Sequence, residues 1–442
     1  MVKSIGIAAT AAVVLCAATT AQATWSIVVA DTRTGQVAIG SATCLTGFDL
    51  KLHLPVIIRN KGVGAAQSFV DFSGRNRLRI WEGLIGRLDP AEILILLEQG
   101  DTAHQTRQYG IVDTLGRAVT FSGTQNGAFA NGLTGRVGDL VYAIQGNVLT
   151  GQPVIEAAEM AFVSTVGGLP EKLMAGMEAA RAMGGDGRCS CTSGPPPSCG
   201  SPPPNFTKAA HIGFMVVSRR GDRRGVCNST RGCGNGDYYM SFNVAFAQAP
   251  DPDPVFQLRD LFDAWRIEVI GLADAVTSRV ESSASVLVND GTSQAMVDIE
   301  VLDWQGNPAV GIINVAMDHN GGSAGSSAIG PVMDLGNGQY SVQLTAGTTA
   351  GLDVLRVTVE HANRSVILIP LLELRIAERG DMNADGSIDA NDIEPFILAL
   401  FDPDEYERRF PDIPRVAIGD MNLDGELNSA DIEGFIEALF GP

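Results

Sequence analysis

Ala21-Gln22-Ala23-Thr24-Trp25-Ser26-Ile27-Val28-Val29-Ala30-Asp31 joins two unlike segments. Upstream stand one positive charge, Lys3, and an apolar run over 5–18, and Ala-Gln-Ala then places small residues where a signal peptidase cuts. This order predicts a secretory signal peptide over 1–23, with cleavage after Ala23 and export of the remainder. Cleavage leaves Thr24 first, with its hydroxyl and a free α-amine on one carbon skeleton. Such a residue can be its own catalytic pair, the hydroxyl attacking while the amine takes its proton. An α-amine titrates near pH ~8 against ~10.4 for lysine, so a useful fraction is free base at neutral pH. The plain alternative is that every exported chain must begin with some residue. The apolar run 25–30 reads as a strand.

Working outward, 442 residues exceed one ordinary core, so two to four domains are expected. With 45% hydrophobic and 18% charged residues, the chain reads as globular. After the signal, no apolar run reaches the ~18 residues a membrane span needs, and 366–374, broken by Pro370 and Glu373, reads as a strand. Cys16 follows the bulky Leu15 and so does not fit a lipoprotein anchor. Six cysteines remain beyond it: Cys44, Cys189, Cys191, Cys199, Cys227 and Cys233. An even number in an exported chain predicts disulfides. Their spacings match no common zinc pattern, and no histidine is expected to join them. Cys189 and Cys191 are too close to pair comfortably; Cys227 with Cys233 is the expected pair. Cys44 with His53 suggests a thiol site, against a disulfide partner and a solvated histidine as the alternatives. The net charge of −19 is uneven, with 17 acidic residues against 4 arginines from Glu378 onward. With no basic stripe to meet phosphates, nucleic-acid binding is not expected.

In order, strands are expected at 37–43, 55–58 and 63–68, then helices at 76–86 and 91–99, the second opened by Asp89-Pro90. A hairpin over 108–113 and 117–122 and a strand at 139–145 precede helices at 154–166 and 170–183. Strands at 209–218 and 238–246 close the region. This alternation implies a layered α+β domain with helices outside the sheets. Between helix and closing strands, 184–207 holds six prolines, five glycines and three cysteines, and reads as an inserted surface loop stapled by disulfides. A Pro/Asp linker at 249–254 precedes an amphipathic helix over 255–272.

Thr24-Trp-Ser-Ile-Val-Val-Ala-Asp, Gln108-Tyr-Gly-Ile-Val-Asp-Thr-Leu-Gly-Arg and Tyr142-Ala-Ile-Gln-Gly-Asn-Val-Leu-Thr-Gly together resemble a bacterial domain family of unknown function, placed among the N-terminal nucleophile (Ntn) hydrolases. The likeness runs on through Pro252-Asp-Pro-Val-Phe-Gln-Leu-Arg-Asp-Leu-Phe-Asp-Ala-Trp265, covering 24–265. It implies a four-layer αββα sandwich with the first residue at the active-site end, and supplies no substrate. Thr24 then falls at the nucleophile position. Asn147, in Gln-Gly-Asn after a strand, is the candidate oxyanion donor, with a turn residue satisfying its own backbone as the alternative. A lysine of the kind a proteasome-type threonine site uses is missing; Lys51 and Lys61 stand in no clear relation to it.

Residues 275–376 alternate apolar and polar in about seven short runs separated by turns, which implies a β-sandwich. Gly336-Asn-Gly-Gln-Tyr-Ser-Val-Gln-Leu-Thr-Ala-Gly-Thr resembles bacterial Ig-like modules of the invasin type, and implies a spacer or an adhesive module. The tail, 378–442, repeats itself. Asp381-Met-Asn-Ala-Asp-Gly-Ser-Ile-Asp-Ala-Asn-Asp returns 39 residues later as Asp420-Met-Asn-Leu-Asp-Gly-Glu-Leu-Asn-Ser-Ala-Asp, each followed by an apolar helical run. Oxygen ligands fall at loop positions 1, 3, 5, 9 and 12, with glycine at 6 and a backbone carbonyl at 7. Two calcium ions are therefore expected. One is assigned to Asp381, Asn383, Asp385, Ser387, Asp389 and Asp392; the other to Asp420, Asn422, Asp424, Glu426, Asn428 and Asp431. Asp rather than Glu at position 12 resembles the EF-hand-like pair of dockerin modules, which implies docking onto a cohesin-like partner. Positions 10 and 11, Ala390-Asn391 and Ser429-Ala430, differ between the copies.

Two readings follow. One is a secreted amidohydrolase using Thr24 on an unknown amide substrate, with a calcium-bound tail for tethering or docking. The other is a non-catalytic binding or architectural protein on an inactive Ntn scaffold.

Overall fold

A computed structural model describes residues 24–441; the signal-peptide expectation over 1–23 lies outside the described residues. The first region is built from β1 (Thr24–Asp31), β2 (Val37–Thr43), α1 (Leu50–His53), β3 (Pro55–Ile58), β4 (Gly62–Ser68), α2 (Arg75–Ile85) and α3 (Pro90–Gly100). It continues through β5 (Arg107–Asp113), β6 (Ala118–Ser122), β7 (Asn131–Val137), β8 (Leu140–Asn147), α4 (Pro153–Ser164) and α5 (Leu169–Ala182). The short α6 (Gly187–Ser190), β9 (Ile212–Ser218), β10 (Met240–Val244) and α7 (Pro254–Glu268) complete it. The strands form two antiparallel sheets, one ordered β10-β9-β2-β1-β8-β7 and the other β3-β4-β5-β6.

Every residue of β1 is buried, because both faces of its sheet are covered. Trp25, Ile27 and Val29 point to one side, against Val154 and Phe162 of α4, Leu173 and Met177 of α5, and Leu258 of α7. Val28 and Ala30 point to the other, against Val63, Ala65 and Val112 of the second sheet. The far face of that sheet, Val56, Ile58, Tyr109 and Ile111, packs on Ile80 and Trp81 of α2 and Ile93 and Leu97 of α3. The layers therefore run helices, sheet, sheet, helices. Asp89 caps α3 with Pro90 in its first turn, and Glu92 closes a capping box back onto Asp89 N–H.

The segment 184–207, expected as a surface loop, is anchored more deeply than its composition suggests. Asp186 is fully buried, and its carboxylate accepts from Cys44 N–H at 2.7 Å and from the Arg188 guanidinium at 2.7 Å. Gly185 lies against the Trp25 indole, where a Cβ would come within 2.6 Å of the ring. The disulfides are Cys44–Cys189, Cys191–Cys199 and Cys227–Cys233; the first ties the insertion to the end of β2.

Beyond α7, two sheets enclose a second core of Val297, Ile299, Val342, Leu344, Leu355, Val357 and Val359. One runs Arg279–Ser282, Gln294–Glu300, Gln339–Ala346, Ser327–Ile329; the other runs Val286–Val288, Leu372–Ala377, Gly351–His361, Ile313–His319. The strand expected at 366–374 is in fact two, Arg364–Ile367 and Leu372–Ala377. Pro370 has no N–H to give a ladder, and the chain turns at buried Leu368 and Ile369. The tail carries α8 (Ile393–Phe401), α9 (Pro403–Arg409), α10 (Arg415–Gly419) and α11 (Ile432–Phe440). Phe396 and Phe435 stack at 4.0 Å, and their core takes in Val286, Val288 and Ala377 of the β-sandwich. No helix among the described residues is long and apolar enough to cross a membrane.

Candidate functional site

Thr24 and Asn147 face each other across the β1–β8 pairing, so the two residues chosen from separate motifs are neighbours in register. Both are buried, at 3% and 0% exposure. Asn147 Nδ2 donates to Ser68 Oγ at 3.0 Å, and Ser68 Oγ donates in turn to Asn126 Oδ1. Asn147 is thus held by the end of β4.

The space between the two sheets is divided. Toward Asp31 it is filled by Val28, Ala30, Val37, Ile39, Val63, Ala65, Val112 and Val216. Toward Thr24 it is filled by Ser26, Gln67, Gln108 and Gln145, each at most 1% exposed. Gln67 Nε2 donates to Thr24 O at 3.1 Å and to Gln108 Oε1 at 2.8 Å, while its Oε1 accepts from Ser26 Oγ. Gln108 Nε2 reaches Gly146 O at 2.8 Å and Ser122 Oγ at 2.7 Å. Gln145 Nε2 donates to Ser26 Oγ at 3.2 Å. Gly110 makes this packing possible, since a Cβ there would lie 2.1 Å from Gln145 Oε1. Buried carboxamides cost stability unless bonded, and bonded ones fix one another's rotamers. The arrangement presents a hydroxyl-bearing residue at the start of a central strand, braced by neutral donors and acceptors from both sheets.

The sequence reading assigned no role to Ser26, Gln67, Ser68, Gln108 or Gln145, although Ser26, Gln108 and Gln145 stand inside its motifs. A signal was present: along β1, β4, β5 and β8 the inward-facing set is apolar until it nears Thr24, where it turns polar at Ser26, Gln67, Gln108 and Gln145, with Thr24 and Asn147 continuing the face on β1 and β8.

The Cys44–His53 thiol reading is overturned. Cys44 is bonded to Cys189, and His53 stacks on Phe48 at 4.8 Å and meets Phe72 edge-on at 5.4 Å. His211 does lie beside Cys44 and Cys189 in space, correcting the expectation that no histidine joins the cysteines; with both sulfurs in a disulfide, the trio is no thiolate metal set. Lys51 Nζ bonds Ser241 Oγ at 2.6 Å, and Lys61 Nζ bonds Ile85 O at 2.5 Å, so neither is directed at Thr24 by these bonds.

In the tail, the two loops superpose in their bonding. Asp381 accepts from Asp385 and Gly386 N–H, as Asp420 does from Asp424 and Gly425 N–H. Asp392 accepts from Asn383 and Asp389 N–H, and Asp431 from Asn422 and Asn428 N–H. Asp389 and Asn428 each close a capping box at the following turn. Asp381, Asp392 and Asp431 are at most 1% exposed, and Asp420 is 6% exposed. Burial, with the nearby Asp392 and Asp385 carboxylates, pushes Asp381 up to about 6, and burial raises Asp392 as well. Buried carboxylates concentrated in one small loop fit the donor set of a hard cation. The segment 402–414, expected only as extra spacing, forms α9, whose buried Tyr406 donates to Met382 O at 2.7 Å. Ile393, Ile397 and Phe401 on α8, with Ile432, Ile436 and Phe440 on α11, stand exposed along one apolar groove of about 220 Å3.

Residues 24–194 match a family of unknown function, DUF1028, and residues 274–366 match domain 3 of invasin. No curated protein matches the chain. Among solved structures, protein SPO2555 of Silicibacter pomeroyi, assigned to DUF1028, shares 18% identity over 55% of this chain and 88% of its own, with a TM-score of 0.39. The Yersinia pseudotuberculosis adhesin InvE shares 22% identity over 23% of this chain and 26% of its own, with a TM-score of 0.20. Invasin, described as a bacterial integrin-binding protein, shares 10% identity over 81% of this chain and 53% of its own, with a TM-score of 0.18. The chain thus spans about a quarter of InvE and about half of invasin. Its three disulfides and its invasin-like region fit an extracellular or cell-surface setting. By these matches the chain is a multidomain protein in which a region similar to DUF1028 precedes a region similar to domain 3 of invasin.

Proposed function

We propose that the first region is an N-terminal nucleophile amidohydrolase acting through Thr24 once cleavage after Ala23 frees its amine. The observation that carries this reading is the polar half-core converging on Thr24 from both sheets. Thr24 Oγ attacks the amide carbonyl carbon while the α-amine takes the hydroxyl proton. The amine then returns that proton to the leaving nitrogen as the carbon–nitrogen bond breaks, and water hydrolyses the acyl-enzyme. Asn147 serves the developing oxyanion, its carboxamide oriented through Ser68 and Asn126. The experiment is acylation of secreted protein with an activated-ester probe, followed by peptide mass mapping. Label confined to Thr24 supports the reading; a mature start other than Thr24, or label spread over lysines, overturns it.

In the same reading the tail binds two calcium ions through the side chains of Asp381, Asn383, Asp385, Asp389 and Asp392, and of Asp420, Asn422, Asp424, Asn428 and Asp431. Ser387 and Glu426 offer backbone carbonyls. When bound, calcium supplies the positive charge those carboxylates lack. The tail then docks on a cohesin-like partner, with the groove between α8 and α11 supporting a docking role because it is apolar and built alike from both copies. A second reading, a non-catalytic adhesive protein, is favoured by the invasin match. A protein that docks by its tail yet never acylates at Thr24 belongs to that second class.

A further inference from the structure

Folding gathers positive charge on one face of a chain whose net charge is −19. Arg59 follows β3, Lys61 stands in the turn to β4, and Arg87 lies just beyond α2. Arg220, Arg224 and Arg231 come from the long connection between β9 and β10. Beside them Arg219 pairs with Asp274 and Arg223 with Asp237, but these six form no ion pair among the described residues. Their bonded partners are neutral. Arg59 donates to Arg220 O and Asp222 O, and Lys61 Nζ to Ile85 O. Arg87 donates to Asn60 O at 2.9 Å and Thr114 Oγ1 at 2.8 Å, and Arg220 Nη2 to Asn60 Oδ1 at 3.1 Å. Burial, then the Arg87 and Arg224 charges, lower the pKa of Lys61; burial, then Arg59 and Arg87, lower that of Arg220. Like charges held together without carboxylates between them leave a positive potential directed outward.

Arg223, Arg224 and Arg231 line a groove of about 390 Å3 with Asn235 and Asp237. Its walls are fixed rather than loose. The Cys227–Cys233 disulfide closes the loop that carries Arg231. Asn235 Oδ1 accepts from Val226 N–H at 2.9 Å, and Nδ2 reaches Val226 O at 2.9 Å and Arg231 O at 2.7 Å. Gly225 allows that approach, since a Cβ there would lie 2.2 Å from Asn235 Oδ1. On the far side of Arg223 and Asp237, a second groove of about 270 Å3 continues to Arg364 of the β-sandwich. The acids along this path do little to cancel it. Asp237 meets Arg223 only at 3.8 Å with both side chains mostly exposed, a weak pair. Asp222 is turned inward, accepting from Arg219 N–H at 2.7 Å and Tyr239 N–H at 2.9 Å.

We propose that this face is a docking surface for an anionic polysaccharide, with the exposed Arg59, Arg224 and Arg231 meeting its carboxylate or sulfate groups. Charge complementarity selects the place, because a chain of net charge −19 repels a polyanion over most of its surface. Arginine predominates over lysine here, and a guanidinium fork meets an oxyanion through two parallel N–H bonds. Two adjoining open grooves suit an extended polymer better than a small anion, which would need the cations to converge on one point. A nucleic acid fits less well. Its bases would need rings to stack on, and Trp81 lies under Arg224 at 8% exposure. The inference stands apart from any chemistry at Thr24.

The test uses the full secreted chain in calcium-free buffer, over immobilised polygalacturonate as the carboxylated polymer and heparin as the sulfated one. Dextran is the neutral control and duplex DNA the rival polyanion. Saturable binding to polygalacturonate, heparin or both is expected, with dextran inert and DNA weaker. Raising salt from about 0.1 M to about 1 M shortens the Debye length from about 10 Å to about 3 Å and should abolish the binding. Arg224→Gln with Arg231→Gln should weaken it about tenfold and leave the melting temperature nearly unchanged, since neither side chain forms an ion pair. Arg33→Gln with Arg279→Gln removes the same charge from exposed pairs elsewhere and should leave binding nearly unaltered. Binding confined to one of the two polymers identifies the group the surface takes. The assignment is overturned if neither polysaccharide binds, if dextran or DNA binds as well as they do, if binding survives the salt, or if the Arg33 and Arg279 changes weaken it as much as the groove changes.

Discussion

The first region and the tail both bury polar side chains, and they settle the cost in opposite ways. Around Thr24 the buried groups are neutral, and each carboxamide finds its partner in another side chain or a strand carbonyl. In the tail loops they are carboxylates, and their bonded partners include backbone N–H groups of the same loop. A neutral network can be settled largely from within, here with Gln145 Oε1 left over, whereas a charged one needs a countercharge from outside the chain. The first arrangement can therefore be rigid before any ligand arrives, as a preorganised site must be. The second should depend on what it binds.

The largest expected effect is all-or-none and concerns whether the neutral network serves a nucleophile. Thr24→Ala should abolish acylation and leave the melting temperature nearly unchanged. Thr24→Ser should keep some activity, since hydroxyl and amine both survive. One residue added before Thr24 should be as damaging as alanine, because it converts the amine to an amide that cannot take a proton. Intact-mass measurement after probe treatment reads all three. An extended protein that still acylates would reduce Thr24 to the first residue of a strand, and the half-core to a structural device.

Next in size is the charged network. Asp381 sits at about 6 in the folded, metal-free tail against an ordinary 3.8, raised by burial and its neighbouring carboxylates. A carboxyl raised on folding holds its proton more tightly in the folded state, so its contribution is fully present below about pH 4 and is lost as pH rises toward 6. The loss is on the order of 2–3 kcal/mol. Calcium should reverse the trend, since it needs the ionised carboxylates, and should add about 2.7 kcal/mol at a hundredfold excess over its dissociation constant. Thermal melts of the full chain from pH 4 to 7, with calcium and with chelator, measure both. If the two series are parallel, the tail does not bind calcium, and the contrast between the two regions collapses.

How much of this was legible in the sequence follows the same division. The acidic residues of the tail loops repeat at fixed spacing with a glycine between them, so local pattern alone picked out the ligands proposed there. Thr24 and Asn147 came from motifs, and strand pairing placed them side by side. The glutamines did not stand out, because their meaning lies in one sheet facing another, which spacing along a strand does not reveal. Asp186 was hidden for a like reason: a segment dense in proline and glycine reads as surface, yet its carboxylate is buried beneath the Cys44–Cys189 bridge. Arg77 sits in an ordinary amphipathic helix, and nothing at neighbouring positions announces that its guanidinium is enclosed.

The smallest effect is the sharpest probe of the neutral network. Gln108 is its hub, accepting from Gln67 and donating to Gly146 O, Ser122 Oγ and Asn131 O. Gln108→Leu keeps much of the volume but strands a buried strand carbonyl and one N–H of Gln67, at a cost of about 1–3 kcal/mol. Gln67 then loses the bond that orients it toward Thr24 O, so acylation should slow more than stability falls. Gln108→Glu preserves shape yet introduces a buried charge into a network of neutral carboxamides, and should destabilise more than leucine does. The mirror-image change in the tail, Asp392→Asn, removes a charge from the carboxylate cluster. With chelator present it should leave stability unchanged or raise it, and with calcium present it should lower it. Chemical denaturation of the three variants, each with and without calcium, compares the two networks directly. Should Gln108→Glu prove harmless, the core beneath Thr24 already holds a compensating positive charge, and the neutral description of that site is wrong.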